Sequence, residues 1–290
     1  MGLSKEQIAR YSRQLILPEL GVKGQERLLR SSVLLVGAGG LGSPAALYLA
    51  AAGVGTIGLI DPETVALSNL HRQILHTAEA VGRAKTLSAA ARLAAIDPGI
   101  AVRPIQARLS PENAPAHLAG YDLVLDGSDN IPTRYLVNDA CVLAGTPMIH
   151  GAAVAFGGQL MTILPKRSAC FRCVFPESPL PDGIPNCQDA GVLGSVVGIL
   201  GSLMAHEALK HLAGIGEPLA DRLLVFEGRS SRFREVPLRR DRGCAVCGDA
   251  PAIHELTERD EPTCRNGQRT EDSSPRSEYA NRSDLCSLDQ

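Results

Sequence analysis

The sequence predicts an α/β protein: a Rossmann-like, mainly parallel sheet with helices on both faces, antiparallel additions and a structural zinc site. Three observations predict it. Short apolar runs alternate with helical segments from about Ser32 to Leu164, a glycine-rich loop joins the first run to the first helix, and two Cys-x-x-Cys pairs lie further on. Apolar runs without polar alternation mark strands buried on both faces, which is how parallel sheets read.

Taken in order, SVLLVG (32–37) is the first strand, and Ser43-Pro44 caps and starts a helix running to Gly53. TIGLID (56–61) is the second strand, followed by a helix over about 83–96 and the strand IAVRPI (100–105). A short helix near 111–119 leads to YDLVLD (121–126), and a helix over about 132–144 leads to PMIHGA (147–152). GQLMTIL (158–164), LLVFEG (223–228) and FREVPL (233–238) read as added antiparallel strands. Between them lies a Pro-rich loop, 176–187, then an apolar helix with Gly191, Gly194, Gly198 and Gly201 along one face for close packing. Residues 1–248 form the expected folded unit, and the polar stretch 249–290 is expected to be disordered.

Composition narrows the function. With 44% hydrophobic and 21% charged residues, the 290-residue chain can bury a core. Lys+Arg 29 against Asp+Glu 31 leaves no basic field for nucleic acid or an anionic membrane, and without Trp there is little for base stacking. The N-terminus has no apolar signal core, and the uncharged runs 44–60 and 190–205 fall short of the ~20 residues a spanning helix needs. A cytoplasmic protein is expected, and in a reducing compartment eight cysteines point to metal or catalysis rather than disulfides.

Gly37, Gly39, Gly40 and Gly42 fit G-x-G-x-x-G between a strand and a helix, and Asp61 ends the next strand. Glycines let the backbone approach phosphate, the helix N-terminus favours an anion, and the carboxylate can accept from ribose hydroxyls. This is a Rossmann-like nucleotide site, and on the loop alone NAD is the favoured ligand. The segment Ser68-Asn69-Leu70-His71-Arg72-Gln73 and Lys85 shift that reading, because two further cations suit a triphosphate better than a nicotinamide ring. Taken singly, each could be an ordinary surface cation. Asp126-Gly-Ser-Asp129-Asn130 follows a strand at the carboxyl edge, where a carboxylate can hold Mg2+ together with substrate phosphates; the alternative for Asp126 or Asp129 is a helix cap.

Cys170-x-x-Cys173 and Cys244-x-x-Cys247 have the spacing of a structural Zn2+ site with no open coordination position. Cys187 lies outside both pairs, ahead of the glycine-striped helix, where a thiol can become a nucleophile or stay idle. Cys141 reads as core.

Jointly, RYSRQ (10–14), GAGGLG, Asp61, SNLHRQ, Lys85, DGSDN and the two cysteine pairs resemble the MoeB/ThiF family of the ubiquitin-activating enzyme superfamily, over roughly residues 5–248. The resemblance implies ATP-dependent adenylation of the C-terminal glycine of a small ubiquitin-like sulfur carrier (MoaD or ThiS type, ending Gly-Gly), with release of pyrophosphate ahead of thiocarboxylate formation. Molybdopterin, thiamine, thiolated-tRNA and cysteine pathways use such activators. It implies Gly40 on nucleotide phosphate, Asp61 on ribose, Asn69, Arg72 and Lys85 on the triphosphate, Asp129 on Mg2+ with Asn130 beside it, and neighbouring Ser68, Leu70 and His71 at the nucleotide. Arg13 would reach the ATP of the other subunit of a homodimer, the four paired cysteines would bind zinc, and Cys187 matches a cysteine that bonds to the carrier in some relatives. Some relatives append a rhodanese-like domain, for which the polar tail is too short, so a separate sulfur donor, a cysteine desulfurase or rhodanese, is expected.

Three alternatives compete. An NAD-dependent oxidoreductase explains the glycine loop and Asp61 but leaves SNLHRQ, DGSDN and the cysteine pairs unused. A binding module that has lost catalysis predicts a damaged nucleotide site, whereas Arg13, Asp61, Arg72, Lys85 and Asp129 are all present. A tRNA-modifying dehydratase-like relative of the same superfamily is the third.

Overall fold

A computed structural model of the chain describes residues 2–176 and 190–257. Cys187, nearly all of the Pro-rich loop, and the tail from residue 258 lie outside the described residues.

Eight strands form one sheet: β1 (Ser32–Val36), β2 (Thr56–Ile60), β3 (Ala101–Ile105), β4 (Leu123–Asp126), β5 (Met148–Val154), β6 (Gly157–Ile163), β7 (Arg222–Glu227) and β8 (Arg232–Pro237). Their order is β3-β2-β1-β4-β5-β6-β7-β8. The first five are parallel, and the pairs β5–β6, β6–β7 and β7–β8 are antiparallel. Every expected strand is present within one or two residues of its sequence bounds. β3 is the edge, largely exposed, and it can carry Pro104 because an edge strand need not donate on both sides.

The helices are α1 (Lys5–Arg10), α2 (Ser12–Leu15), α3 (Gly21–Arg30), α4 (Gly42–Ala51), α5 (Lys85–Ile96), α6 (Ala114–Leu118), α7 (Ile131–Ala144), α8 (Phe171–Val174) and α9 (Gly194–Ala213). One core lies between the sheet and α4, α5 and α9, with Leu35, Leu49, Ile57, Leu93 and Leu200 fully buried. A second lies on the opposite face, around Val124, Tyr135, Cys141, Met161 and Phe171. Cys141 is core, as its helical position indicates.

The structure fills one region that periodicity leaves unassigned and corrects two expectations. Residues 5–30, unassigned by periodicity, form three helices; a Ser4–Gln7 capping box starts the first, and Tyr11, buried in the chain, donates to Asp97 at 2.5 Å. The glycine stripe is not one face of one helix. Gly191 precedes α9 with φ +71°, and Gly198 faces open space. Only Gly194 and Gly201 make close approaches, where a Cβ would meet the carbonyl oxygens of His71 at 2.4 Å and Leu41 at 2.3 Å. The tail does not begin at 249: Ile253 and Leu256 pack on the second core, and the Ile253 amide bonds to Ala245 at 2.8 Å.

Candidate nucleotide and metal sites

Strand order reverses between β1 and β4, the position where open α/β sheets hold ligands beyond the strand ends. A cavity of about 430 Å³ lies there, within the range of small-molecule sites. Val36, Ile60, Ala107 and Leu109 make one wall apolar, while Lys85, Arg72, Arg108 and Arg134 bring cations to it.

The glycine loop forms the floor. Gly37 takes φ +93°, a conformation glycine adopts without penalty, and its amide bonds to the Ile60 carbonyl at 2.9 Å. A Cβ on Gly42 would lie 2.0 Å from the Gly37 oxygen, so the loop closes only with glycine there. Ser43 is not the cap expected of it: it is the second residue of α4, buried, and its hydroxyl has no partner among the described residues. No side chain caps α4; the Ser43 amide already donates to the Gly39 carbonyl at 2.9 Å and Pro44 has no N–H, so the backbone donor that the helix start offers an anion is the Gly42 amide.

Asp61, at the end of β2, is 6% exposed. One oxygen accepts from the Ala38 amide at 2.9 Å and the other from the Glu63 amide at 2.8 Å. It therefore ties the glycine loop to β2 as well as facing the cavity. Burial pushes its carboxyl up, and the neighbouring Lys85 charge opposes that. Lys85, the first residue of α5, is 3% exposed and ion-pairs with Glu63 at 2.5 Å. Arg72 donates to the Ser68 carbonyl at 3.1 Å and lies 2.8 Å from the His71 ring nitrogen.

The turn after β4 is tied at both ends. Asp126 is fully buried and accepts from the Ser128 amide (3.1 Å) and hydroxyl (2.6 Å). Asn130, rather than Asp126 or Asp129, is the helix cap, accepting from Thr133 at the start of α7 at 2.9 Å. Between them Asp129 stands exposed on the cavity wall. A hard carboxylate facing several cations across a cavity suits a magnesium–phosphate complex.

Gly37, Gly39, Gly40, Asp61, Ser68, Asn69, Arg72, Lys85, Asp129 and Asn130 thus line one cavity. Gly42 shapes the loop from behind. Leu70 and His71 do not line the cavity, and Arg13 is exposed on α2, also outside it. Gln73 and Ser128, quoted within the two motifs but given no role, also line it, as do Glu63, Arg108 and Arg134, which the sequence does not single out. Arg108 and Leu109 follow a parallel strand at its carboxyl end, so the rule that located Asp129 would have found them.

The second site is closed. The sulfurs of Cys170, Cys173, Cys244 and Cys247 all lie within 4.8 Å of one another, with separations of 3.8 Å (170–173), 3.6 Å (170–244) and 3.4 Å (173–247). Ligands ~2.3 Å from a tetrahedral Zn2+ stand roughly 3.8 Å apart, while a disulfide needs about 2.05 Å. The donor set and spacing therefore fit zinc. The Asp241 amide donates to the Cys173 sulfur at 3.3 Å. Between the first pair, Arg172 forms two hydrogen bonds to Asp139 of α7, and the Phe171 amide donates to Asn138 at 2.9 Å, so the knuckle is fastened to the helix whose N-terminus borders the cavity.

Residues 11–246 match the model of the ThiF family. A sulfur carrier protein adenylyltransferase of Thermus thermophilus is 50% identical over 263 residues, covering 89% of this chain and 97% of that protein. The adenylyltransferase and sulfurtransferase MOCS3 of Sus scrofa is 50% identical over 256 residues, but the chain spans only 56% of its length. Among solved structures, E. coli MccB superposes with a TM-score of 0.75 at 23% identity, covering 89% of this chain and 77% of that one, which bears on the fold alone.

Proposed function

Since this chain belongs to the ThiF family, we propose that it is an ATP-dependent adenylyltransferase acting on the C-terminal glycine of a small ubiquitin-like sulfur carrier. The observation that carries this reading is the single cavity joining an uncapped helix start, Lys85, Arg72 and the exposed Asp129. A nicotinamide reaction gives those cations and that carboxylate no task.

The chemistry matches the parts. A carboxylate is ionised at neutral pH, so no general base is needed. One of its oxygens bonds to the α-phosphorus of ATP, the α–β bridging bond breaks, and pyrophosphate leaves with the electron pair. The protein must bring two anions together and stabilise charge on the leaving group, which is work for positioning and electrostatics. Backbone amides of the glycine loop, up to Gly42 at the start of α4, receive phosphate oxygens, and Asp61 accepts from a ribose hydroxyl. Lys85 exchanges Glu63 for phosphate, and Arg72 turns from the Ser68 carbonyl to the same group. Asp129, with Asn130 beside it, would hold Mg2+, which would supply positive charge to neutralise the departing pyrophosphate.

The reading extends to a homodimer in which Arg13, exposed on α2, serves the partner's ATP, and to a structural zinc held by the four cysteines. It also takes in a separate sulfur donor, either a cysteine desulfurase or a rhodanese, and a cytoplasmic location, where the thiolates stay reduced. The experiment is mass spectrometry of purified Gly-Gly-ended carriers after incubation with ATP, magnesium and a sulfide source. A carrier converted to its thiocarboxylate only when enzyme and ATP are both present supports the reading. No conversion of any carrier, with ATP consumed or not, speaks against it.

A further inference from the structure

Asp126 and His150 face each other in the middle of the sheet. They are register partners on the parallel strands β4 and β5, both are fully buried, and the His150 Nδ1 lies 2.8 Å from the second Asp126 carboxylate oxygen. Elsewhere these strands carry Leu, Val, Ile, Met, Ala and Gly, with no other polar side chain. Ionisable groups are expensive at such a place, and they persist where their hydrogen bonds fix something else. Neither residue lines the cavity.

What they fix is the turn bearing Asp129. The first Asp126 oxygen takes both donors of Ser128, which folds the chain back at 127–128. The Ser128 carbonyl in turn lies 3.3 Å from an Arg134 terminal nitrogen. Gly127 bonds to the Val36 carbonyl at 3.0 Å, and its own oxygen lies 3.1 Å from where a Cβ on Gly37 would stand. The same turn therefore sets the distance between the acidic loop and the glycine loop. His150 is held on its other side by the Phe171 ring, with centroids 4.8 Å apart at 61°. Its Nε2 has no partner among the described residues, so the fitting form is the neutral ring that donates from Nδ1 and keeps only a lone pair toward the apolar side. Burial favours that neutral form.

We infer that Asp126 and His150 are positioning residues for nucleotide activation: His150 orients the Asp126 carboxylate, which holds Ser128 and thereby aims Asp129 into the cavity at a fixed distance from the glycine loop. The inference rests on the nucleotide-site reading above. Neither group touches substrate, and their effect passes through Asp129.

The test compares full-length wild type with His150→Leu, His150→Asn and Asp126→Asn. It measures ATP binding by calorimetry with and without magnesium, ATP–pyrophosphate exchange as a function of magnesium in the presence of a Gly-Gly-ended sulfur carrier, and zinc content. Asn can donate from nearly the place of Nδ1, so His150→Asn is the rescue. His150→Leu and Asp126→Asn are expected to raise the magnesium concentration at half-maximal exchange by roughly tenfold to a hundredfold, the range typical of outer-shell partners. ATP binding without magnesium should move far less, zinc should stay at wild-type content, and His150→Asn should recover most of the loss. A uniform fall in both binding modes that His150→Asn does not rescue would mean a merely structural pair and overturn the inference. Unchanged magnesium dependence in all three variants would overturn it too, with the nucleotide-site reading intact. A wild type that binds no ATP would overturn the reading itself and the inference with it.

Discussion

The two sites on this chain are built on opposite plans. The four-cysteine cluster uses one kind of atom from two short segments, is mostly buried, and leaves no coordination position open. The nucleotide cavity draws backbone amides, three carboxylates and several cations from the loops after β1, β2, β3 and β4 and from the starts of α5 and α7, and it is open. A closed set of identical ligands can only hold the chain together, whereas an open set with unspent charge can take a substrate and release a product. Helix α7 joins the two, with Asn130 capping its start beside the cavity and Asn138 and Asp139 gripping the knuckle one side chain each.

Substitutions should separate these plans. The largest effect is expected at the closed site. Structural zinc contributes on the order of 10 kcal/mol in small zinc-binding peptides. Cys244→Ser should therefore release the metal and lower the thermal midpoint by many degrees, and a chelator should do the same to wild type. Metal analysis with a melting curve checks both; equal melting with and without chelator would contradict a structural metal.

Next is Asp129→Ala. The side chain is exposed and supports no packing, so melting should be unchanged while exchange falls by about a hundredfold or more, the scale of a lost transition-state contact. Exchange at the wild-type rate would remove Asp129 from the magnesium role.

Gly42→Ala should be smaller but felt twice. The new methyl cannot share space with the Gly37 oxygen, so the loop must shift; stability is expected to fall by roughly 1–3 kcal/mol, as for other overpacked sites, with weaker ATP binding. Denaturant titration and calorimetry read the two. The smallest effect is expected for Cys187→Ala: full exchange, with any loss confined to thiocarboxylate formation. Loss of exchange would put Cys187 at the nucleotide rather than in sulfur transfer.

The same contrast explains what the sequence reveals. Cys-x-x-Cys spacing is itself the geometry of a knuckle, so the closed site could be read without a structure. The parallel strands were legible because burial on both faces leaves no polar residue to interrupt them, and Asp126 was legible as a strand end. Its pairing with His150 was not, since the two meet only through strand register. The open site was legible in parts, as glycines, Asp61, Arg72, Lys85 and Asp129, but Glu63 and Arg134 enter only once tertiary contacts bring them to the cavity. Helices α1 and α2 escaped because they are short and none of their residues is buried. Ser43 misled because a Ser-Pro pair looks like a helix start, yet the chain had already entered α4 at Gly42.

The most direct measurement is magnesium-dependent ATP–pyrophosphate exchange with a panel of purified Gly-Gly-ended sulfur carriers and a no-carrier control. Adenylation of a carrier glycine predicts exchange with at least one carrier, none without it, and none when that carrier lacks its last glycine. Silence across the panel while ATP still binds would contradict it.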